Sequence, residues 1–392
     1  MELKEHQKTG VEIIKRKMSH LLIADEMGLG KTAMTISAIK DTGVPWIIIC
    51  PASVKANWCK EIKMWANVNV VPDNPNGQFY VTNYERLGNV KLNMKSRNFG
   101  GVVFDEAHYL KNKDSERHIL AKEVADKLPR KLLLTGTPMS RGPVDLASLF
   151  SIMGLLDRVF GGYWKFYKRY CDPFWTGYGW DFKGSSNKRE LSQKIKPFVL
   201  KRTKKSCGIE LPKKEIITLK IGSAGQQKKS SSFAEIEKDQ QAVNRMKLNA
   251  IIDFIRKTTI FQRKKVVVFY HHKKLFEDLK DYFGDDALCV NGSQTAKVRQ
   301  KNIDAFQNSD ECIPIFCSLQ ASCTGITLTS AHVALFCEYL WSPDIHEQAQ
   351  DRIHRISQTN DCQIYMMTMD NSIDYQKLNT AAWKEIEIEG IL

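Results

Sequence analysis

Short, continuous apolar runs separated by amphipathic stretches set the rhythm of the first third of the chain. Leu21–Ala24, Trp46–Cys50, Phe79–Val81, Val102–Phe104 and Leu132–Leu134 show no polar alternation. Such runs belong to strands buried on both faces, as in a parallel sheet flanked by helices. Residues 141–200 break the rhythm with eleven aromatics between Phe160 and Phe182. These rings suit the core of a small helical insertion or a surface that stacks on bases, and different rings can do each. Residues 222–241 are rich in Gly, Ser, Gln and Lys and read as a linker or mobile insertion with a helix toward its end. The rhythm then returns in Val266–Tyr270, Leu288–Val290, Ile313–Cys317, Val333–Cys337 and Ile364–Thr368. The pattern predicts an α/β protein of two parallel-sheet lobes. Lobe 1 covers residues 1–140, with a helical, aromatic-rich insertion over 141–205 at its end. A linker follows over 206–245, then lobe 2 over 246–392. A length of 392 residues, more than one core usually serves, agrees with two lobes.

In a parallel sheet the functional turns sit at the carboxyl ends of the strands. The first run leads into Asp25-Glu26-Met27-Gly28-Leu29-Gly30-Lys31-Thr32. A strand, a glycine-rich turn and a helix form a phosphate-binding device: backbone N–H groups face the anion and a lysine adds a point charge. The Thr32 hydroxyl is placed for Mg²⁺. The generic pattern has glycine where Asp25 stands, so a structural glycine turn stays open on this stretch alone. The fourth run leads into Asp105-Glu106-Ala107-His108. One carboxylate at such a strand end can hold Mg²⁺, and its neighbour can orient water for attack on a γ-phosphate. Two acids could also merely favour a helix N-terminus, but their order after a phosphate loop argues for nucleotide chemistry.

Net charge is +14, from 58 basic and 44 acidic residues, and implies a polyanionic partner without distinguishing DNA, RNA or anionic lipid. The ten cysteines include no C-x-x-C pair. Several sit in apolar runs and read as buried free thiols, and Cys312, Cys317 and Cys323 fit no common zinc spacing. No apolar run is long enough to span a bilayer and no signal peptide opens the chain, so an intracellular, non-membrane protein is expected. Lys201-Arg202-Thr203-Lys204-Lys205 reads as a nuclear address, a DNA-facing segment or a solvated stretch.

The second half has no glycine-lysine phosphate loop of its own, so it should act on the nucleotide of the first. Its main chemistry lies in Gln348-Ala349-Gln350-Asp351-Arg352-Ile353-His354-Arg355-Ile356-Ser357-Gln358. If helical, this segment puts Arg352 and Arg355 on one face, where guanidinium groups suit phosphate oxygens and transition-state charge. Taken alone, a solvated helix face is the default.

With this segment the chain resembles the superfamily 2 helicases, and among them the Swi/Snf-type DNA translocases. The ordered motifs span nearly the whole chain: Leu3-Lys4-Glu5-His6-Gln7, residues 25–32, Ile49-Cys50-Pro51-Ala52-Ser53, residues 105–108, Leu134-Thr135-Gly136-Thr137-Pro138, Thr324-Gly325-Ile326-Thr327-Leu328 and residues 348–358. A closer resemblance to the annealing-helicase (HARP-type) subgroup rests on Arg169-Tyr170-Cys171-Asp172, Gly179-Trp180-Asp181-Phe182, Gly184-Ser185-Ser186-Asn187, Val268-Phe269-Tyr270-His271-His272-Lys273 and Asn291-Gly292-Ser293.

The resemblance implies two RecA-like lobes with ATP and Mg²⁺ held in the cleft between them. Gln7 would read adenine, Lys31 and Thr32 would hold phosphates and metal, Asp105 the metal, and Glu106 the water. Gln348 would sit near the γ-phosphate, and Arg352 and Arg355 would act as arginine fingers. Gly325 would sense the nucleotide, and Thr135, Gly136 and Thr137 would couple hydrolysis to lobe movement. Ser53, Lys55 and Tyr84 in lobe 1, and His271, Lys273 and Arg299 in lobe 2, are candidate DNA contacts. The expected activity is a DNA-dependent ATPase that translocates on double-stranded or branched DNA and remodels or anneals it. The expectation is a minimal, monomeric motor without zinc finger, accessory domain or partner-binding tail, acting in the nucleus or wherever the cell keeps its DNA. A strand-separating DNA or RNA helicase is the alternative within the superfamily, and a catalytically dead DNA-binding scaffold the alternative outside catalysis. Ser357 stands where the family pattern has glycine, which is costly only if that residue needs a positive φ.

Overall fold

The computed structural model describes residues 2–224, 233–284, 287–322, 326–388 and 390–392. Two compact units appear, Met1–Ile209 with Lys384–Leu392, and Glu210–Trp383.

In the first unit, β1 (His20–Ile23), β2 (Trp46–Cys50), β3 (Phe79–Asn83), β4 (Gly101–Asp105), β5 (Lys131–Leu134) and a short β8 (Val199–Leu200) form one sheet in the order β3-β2-β4-β5-β1-β8. Every pairing is parallel. Successive side chains alternate between faces. Leu22, Ile47, Ile49, Val102, Phe104 and Leu133 enter one core. Leu21, Ile23, Trp46, Ile48, Val103 and Leu134 enter the other. Burial of both faces is why these strands read as unbroken apolar runs.

The aromatic-rich segment divides ring by ring. Phe160, Phe166, Tyr167 and Tyr170 join the same core as Phe104, on the helices Leu156–Phe160 and Tyr163–Tyr170. Trp164, Phe174, Trp175, Tyr178 and Trp180 are exposed, four of them on or beside a small antiparallel hairpin of β6 (Phe174–Trp175) and β7 (Trp180–Asp181).

The second unit is a sheet in the order β11-β12-β10-β13-β14-β9, again all parallel. Its strands are β9 (Lys214–Ser223), β10 (Val266–Tyr270), β11 (Cys289–Val290), β12 (Pro314–Ser318), β13 (Val333–Phe336) and β14 (Cys362–Asp370). Part of the segment expected as linker is therefore β9, an edge strand paired along β14. None of its residues is buried and most are exposed, which is why it lacks the apolar signature of the central strands. The helix Phe233–Arg256 follows, and the polar residues 225–232 lie outside the described set. The chain end, expected within lobe 2, belongs to the first unit, and Ile391 is fully buried in its core. No helix among the described residues is long and apolar enough to cross a membrane.

A buried polar network fastens the helices Phe233–Arg256 and Ile373–Ile388 to the strand ends of the second sheet. The Lys247 ammonium, fully buried, donates to the Cys337 carbonyl and to Asp374. Gln240 Nε2 donates to Asp374 Oδ1 at 2.9 Å. Glu338, also fully buried, accepts from the amides of His271 and His272 at 2.6 and 2.9 Å, from Asn244 Nδ2 at 2.6 Å, and from the His272 ring. Burial alone would raise the Glu338 pKa, but the hydrogen bond and charge of His272 and the two amides pull it down to about 2. Burial alone would lower that of His272, but Glu338 and then Glu237, 3.0 Å from Nε2, raise it.

The pair contributes stability above the ordinary Glu value of 4.5 and below the ordinary His value of 6.5, and loses it toward pH 2 on one side and above the raised His272 value on the other. Glu338→Gln should cost the second unit about 3 kcal/mol by leaving buried partners uncompensated. Urea unfolding at pH 6 checks this, and the mutant's stability should also lose most of its dependence on pH above 6.5.

Candidate nucleotide site and its partners

The register of the first sheet aligns three strand ends. Ile23 lies opposite Leu134, and Leu134 opposite Asp105. The glycine turn after β1, Thr135-Gly136-Thr137 after β5, and Asp105-Glu106 after β4 thus leave the same edge from adjacent parallel strands. With neighbouring strands about 4.8 Å apart, the outer two ends lie within about 10 Å of each other.

The turn between β1 and the helix Lys31–Ile39 carries Gly28 and Gly30 at φ 88° and 84°. The positive φ is what favours glycine at 30, and a Cβ there would also lie 2.2 Å from Gln7 Nε2 and push that side chain aside. Gln7 packs on the turn and donates to the Leu29 carbonyl at 3.4 Å, and His6 Nε2 lies 3.2 Å from the same oxygen. Lys31 Nζ donates to the carbonyls of Asp25 at 2.7 Å and Glu26 at 3.5 Å. Thr32 is partly exposed on the first turn of the helix. A Cβ on Gly136 would lie 2.8 Å from Met27 Cγ and 3.8 Å from Lys31 Nζ, so the turn after β5 lies against the glycine turn.

Asp25, in the slot where the generic pattern has glycine, is fully buried and has its own counter-charge. The Arg202 guanidinium grips both carboxylate oxygens and also donates to the His6 carbonyl. Lys204 repeats the arrangement one residue along the turn. Its backbone amide donates to Glu26 Oε2 at 2.7 Å, and its ammonium lies 2.9 Å from Oε1. The backbones run together as well, Ala24 N–H to Leu200 O at 2.7 Å and Glu26 N–H to Arg202 O at 2.9 Å. Two cations of the basic run 201–205 thus turn inward to the phosphate loop, which overturns their reading as an address or solvated stretch. Asp25 in a buried slot signals in the sequence that some cation must meet it, but not which one.

Asp105 is held from three sides. Trp58 Nε1 donates to Oδ2 at 2.7 Å, the Glu106 amide to Oδ1 at 3.0 Å, and the Tyr84 hydroxyl to the Asp105 carbonyl at 2.7 Å. Burial first, and then the charge of Glu106, raise the Asp105 pKa to about 6, against smaller lowering contributions that include Lys31. Glu106 is left-handed at φ 49° and ψ 50°. A non-glycine residue there costs about 1 kcal/mol and is held by its surroundings. Its Oε2 lies 3.1 Å from His108 Nδ1, which is 3.5 Å from Thr135 Oγ1.

The donor set fits a magnesium nucleotide. The glycine turn and the Lys31 ammonium stand on one side, and a half-buried pair of carboxyls with a helix-start hydroxyl suits a divalent cation.

Expected DNA contacts on this unit divide. Ser53 is exposed. Lys55 is engaged with Asp73 at 2.7 Å and Asn83 at 3.3 Å. Tyr84 is a correction: only 3% exposed and stacked on Tyr109, it supports Asp105 from beneath and offers no surface to DNA.

In the second unit, Gln348 is buried on the helix Pro343–Gln350. That helix ends before the arginines, so Arg352 and Arg355 lie in turns instead of on one helical face. They converge by another route: both donate to the Ile326 carbonyl, at 3.5 and 3.2 Å, and Arg355 also to Thr327 Oγ1 at 2.7 Å. Burial lowers the Arg355 pKa. Ser357 is not among the residues at positive φ, so serine in the glycine slot carries no backbone strain. Gly325 lies outside the described residues. His271 is half-buried with its amide on Glu338, Lys273 is exposed beside Glu277, and Arg299 is half-buried.

A glycine-turn, paired-acid edge on one parallel α/β unit and an arginine-bearing second parallel unit define a two-lobed nucleotide-binding protein. The SNF2-related domain matches residues 6–267 and the helicase conserved C-terminal domain residues 246–357, and the chain belongs to the SNF2-related family. It is similar to the SWI/SNF-related matrix-associated actin-dependent regulator of chromatin subfamily A-like protein 1 of Drosophila melanogaster, with 29% identity over 91% of this chain and 52% of that protein. It is similar also to the DNA annealing helicase and endonuclease ZRANB3 of Homo sapiens, with 28% identity over 94% of this chain and 38% of that protein. The chain thus spans about half or less of the length of these relatives. A solved Sulfolobus solfataricus SWI2/SNF2 ATPase core in complex with dsDNA aligns over 100% of this chain and 97% of its own at 22% identity and a TM-score of 0.47.

Removing the Arg202 charge should strand Asp25 in the interior. Arg202→Met should cost about 3 kcal/mol, and Asp25→Asn in the same chain should restore part of it. A double-mutant cycle from thermal melts checks the coupling.

Proposed function

We propose that this chain is a DNA-dependent ATPase that translocates on double-stranded or branched DNA and remodels or anneals it. The observation that carries the reading is the shared edge of β1, β5 and β4, which gathers a glycine-rich turn, a half-buried carboxyl pair and a threonine turn. Family membership and the annealing activity in the name of one relative support it, as does the net charge of +14.

On this reading, Lys31 and the turn amides bind the β- and γ-phosphates, and Gln7 packs against the base. Thr32 and Asp105 would hold Mg²⁺, which supplies neutralisation of the phosphate charge. Glu106 orients the attacking water and takes its proton, with His108 beside it to relay the change to Thr135. Arg352 and Arg355 stabilise the charge that grows on the transferred phosphoryl group, and Gln348 lies near them in the same segment. Loss of that γ-phosphate contact after hydrolysis releases the two lobes, which alternately grip DNA. Ser53, Lys273 and Arg299 would contact phosphates, so binding is largely independent of sequence and weakened by salt. The chain acts as a monomer.

Steady-state ATP hydrolysis with no nucleic acid, single-stranded DNA, duplex DNA, forked DNA and duplex RNA tests the proposal. Strong stimulation by duplex or forked DNA is expected; stimulation by RNA alone, or by nothing, overturns it. Lys31→Ala should abolish turnover while circular dichroism stays unchanged. Arg355→Ala should lower kcat at least about a hundredfold and leave nucleotide affinity, read by a fluorescent analogue, within a few-fold.

A further inference from the structure

The hairpin of β6 and β7 is built for display. At its base, the Ser186 amide donates to Tyr170 O at 3.0 Å, the Ser186 hydroxyl to Arg169 O at 2.9 Å, and Asn187 Nδ2 to the same carbonyl at 2.7 Å. At its tip, Thr176 and Gly179 close the turn through Thr176 N–H to Gly179 O at 3.0 Å and Gly179 N–H to Thr176 Oγ1 at 3.2 Å. An isolated two-stranded hairpin is marginal in water, and indoles brace this one. Trp180 meets Trp175 edge to face at 5.5 Å and Trp164 at 5.9 Å.

Despite that bracing, the rings stay open to solvent: Phe174 is 68% exposed, Trp175 52% and Tyr178, at the tip, 100%. A contiguous apolar display of this kind marks an interaction surface. Cations border it: Lys168 Nζ sits 5.1 Å from the Trp164 ring centroid, and Lys183 and Arg169 are exposed, the first paired with Asp181 at 3.1 Å and the second with Glu190. Rigid aromatic faces bordered by cations are what unpaired nucleic-acid bases need, since each base offers a π-face and each nucleotide a phosphate. Paired, stacked bases in a duplex offer no such face.

We infer that this hairpin binds unpaired DNA bases at a branch, with Trp175 and Tyr178 as stacking platforms, and so gives the motor a preference for forks over plain duplex. The inference rests on the proposed action on DNA and adds a base-stacking site to it.

The test uses the full chain with a fork carrying 2-aminopurine in its unpaired arm beside the junction, and a blunt duplex of matched sequence. Wild type should bind the fork more tightly and quench the probe. Tyr178→Ala and Trp175→Ala should each weaken fork binding about tenfold and abolish quenching. Duplex affinity and duplex-stimulated hydrolysis should stay within twofold, and Trp175→Phe should retain most of the fork affinity. Tyr178 contacts too little to unfold the chain when truncated, and equal melting temperatures confirm this. Unchanged fork binding, equal loss on fork and duplex, or a change confined to self-association in sedimentation would overturn the inference while leaving the motor reading intact. Failure of wild type to bind any DNA would overturn both.

Discussion

The parallel register that sets Ile23, Leu134 and Asp105 level with one another is the constraint on which the first unit's chemistry depends. Each strand is apolar on both faces, so its register is held by two cores at once. A slip of one residue would exchange the side chains of the two cores. It would also displace the phosphate turn from the carboxyl pair by a full residue. Lys31 is close enough to Asp105 to influence its titration, and a Cβ on Gly136 would press on the Met27 side chain of the glycine turn. The site is therefore a property of the sheet edge more than of any one loop.

Charge then decides how the loops are held. Asp25 and Arg202 lie 177 residues apart in sequence, and their pairing closes the first unit around the phosphate turn. Buried ion pairs are weak sources of net stability, because desolvation consumes most of the Coulombic gain. Their value here is positional: Arg202 also holds the His6 carbonyl, so one guanidinium ties the helix Glu5–Arg16, the glycine turn and the last short strand together. Asp105 is treated differently. Its neighbours Trp58, Tyr84 and the Glu106 amide supply hydrogen bonds, and the charge of Lys31 only partly offsets burial and Glu106, so the carboxyl would suit a divalent cation.

The second unit follows the same logic with different residues. Lys247, Asp374, Glu338 and His272 join two helices to the strand ends. The arginines gather on the Ile326 carbonyl from consecutive turns. A helix would have set their guanidiniums by its own geometry, whereas turns leave that task to the carbonyl and to Thr327.

The sequence by itself determined the sheets, because double burial writes a continuous apolar run that needs no tertiary knowledge to read. It also determined the phosphate turn and the acid pair, whose glycines and charges are local in the chain. The edge strand Lys214–Ser223 escaped because its largely exposed side chains carry no such run. Trp58, Tyr84 and Arg202 were undecidable for a related reason. An indole, a phenol and a guanidinium mean nothing special until the fold brings them to Asp105 and Asp25 from distant segments. The aromatic cluster shows the same division within one stretch: composition marked the rings, but only packing separated those that fill the core, such as Phe166, from those left facing water, such as Tyr178. Local conformation follows from local pattern, while a buried charge or an exposed ring is defined by neighbours that only the folded chain supplies.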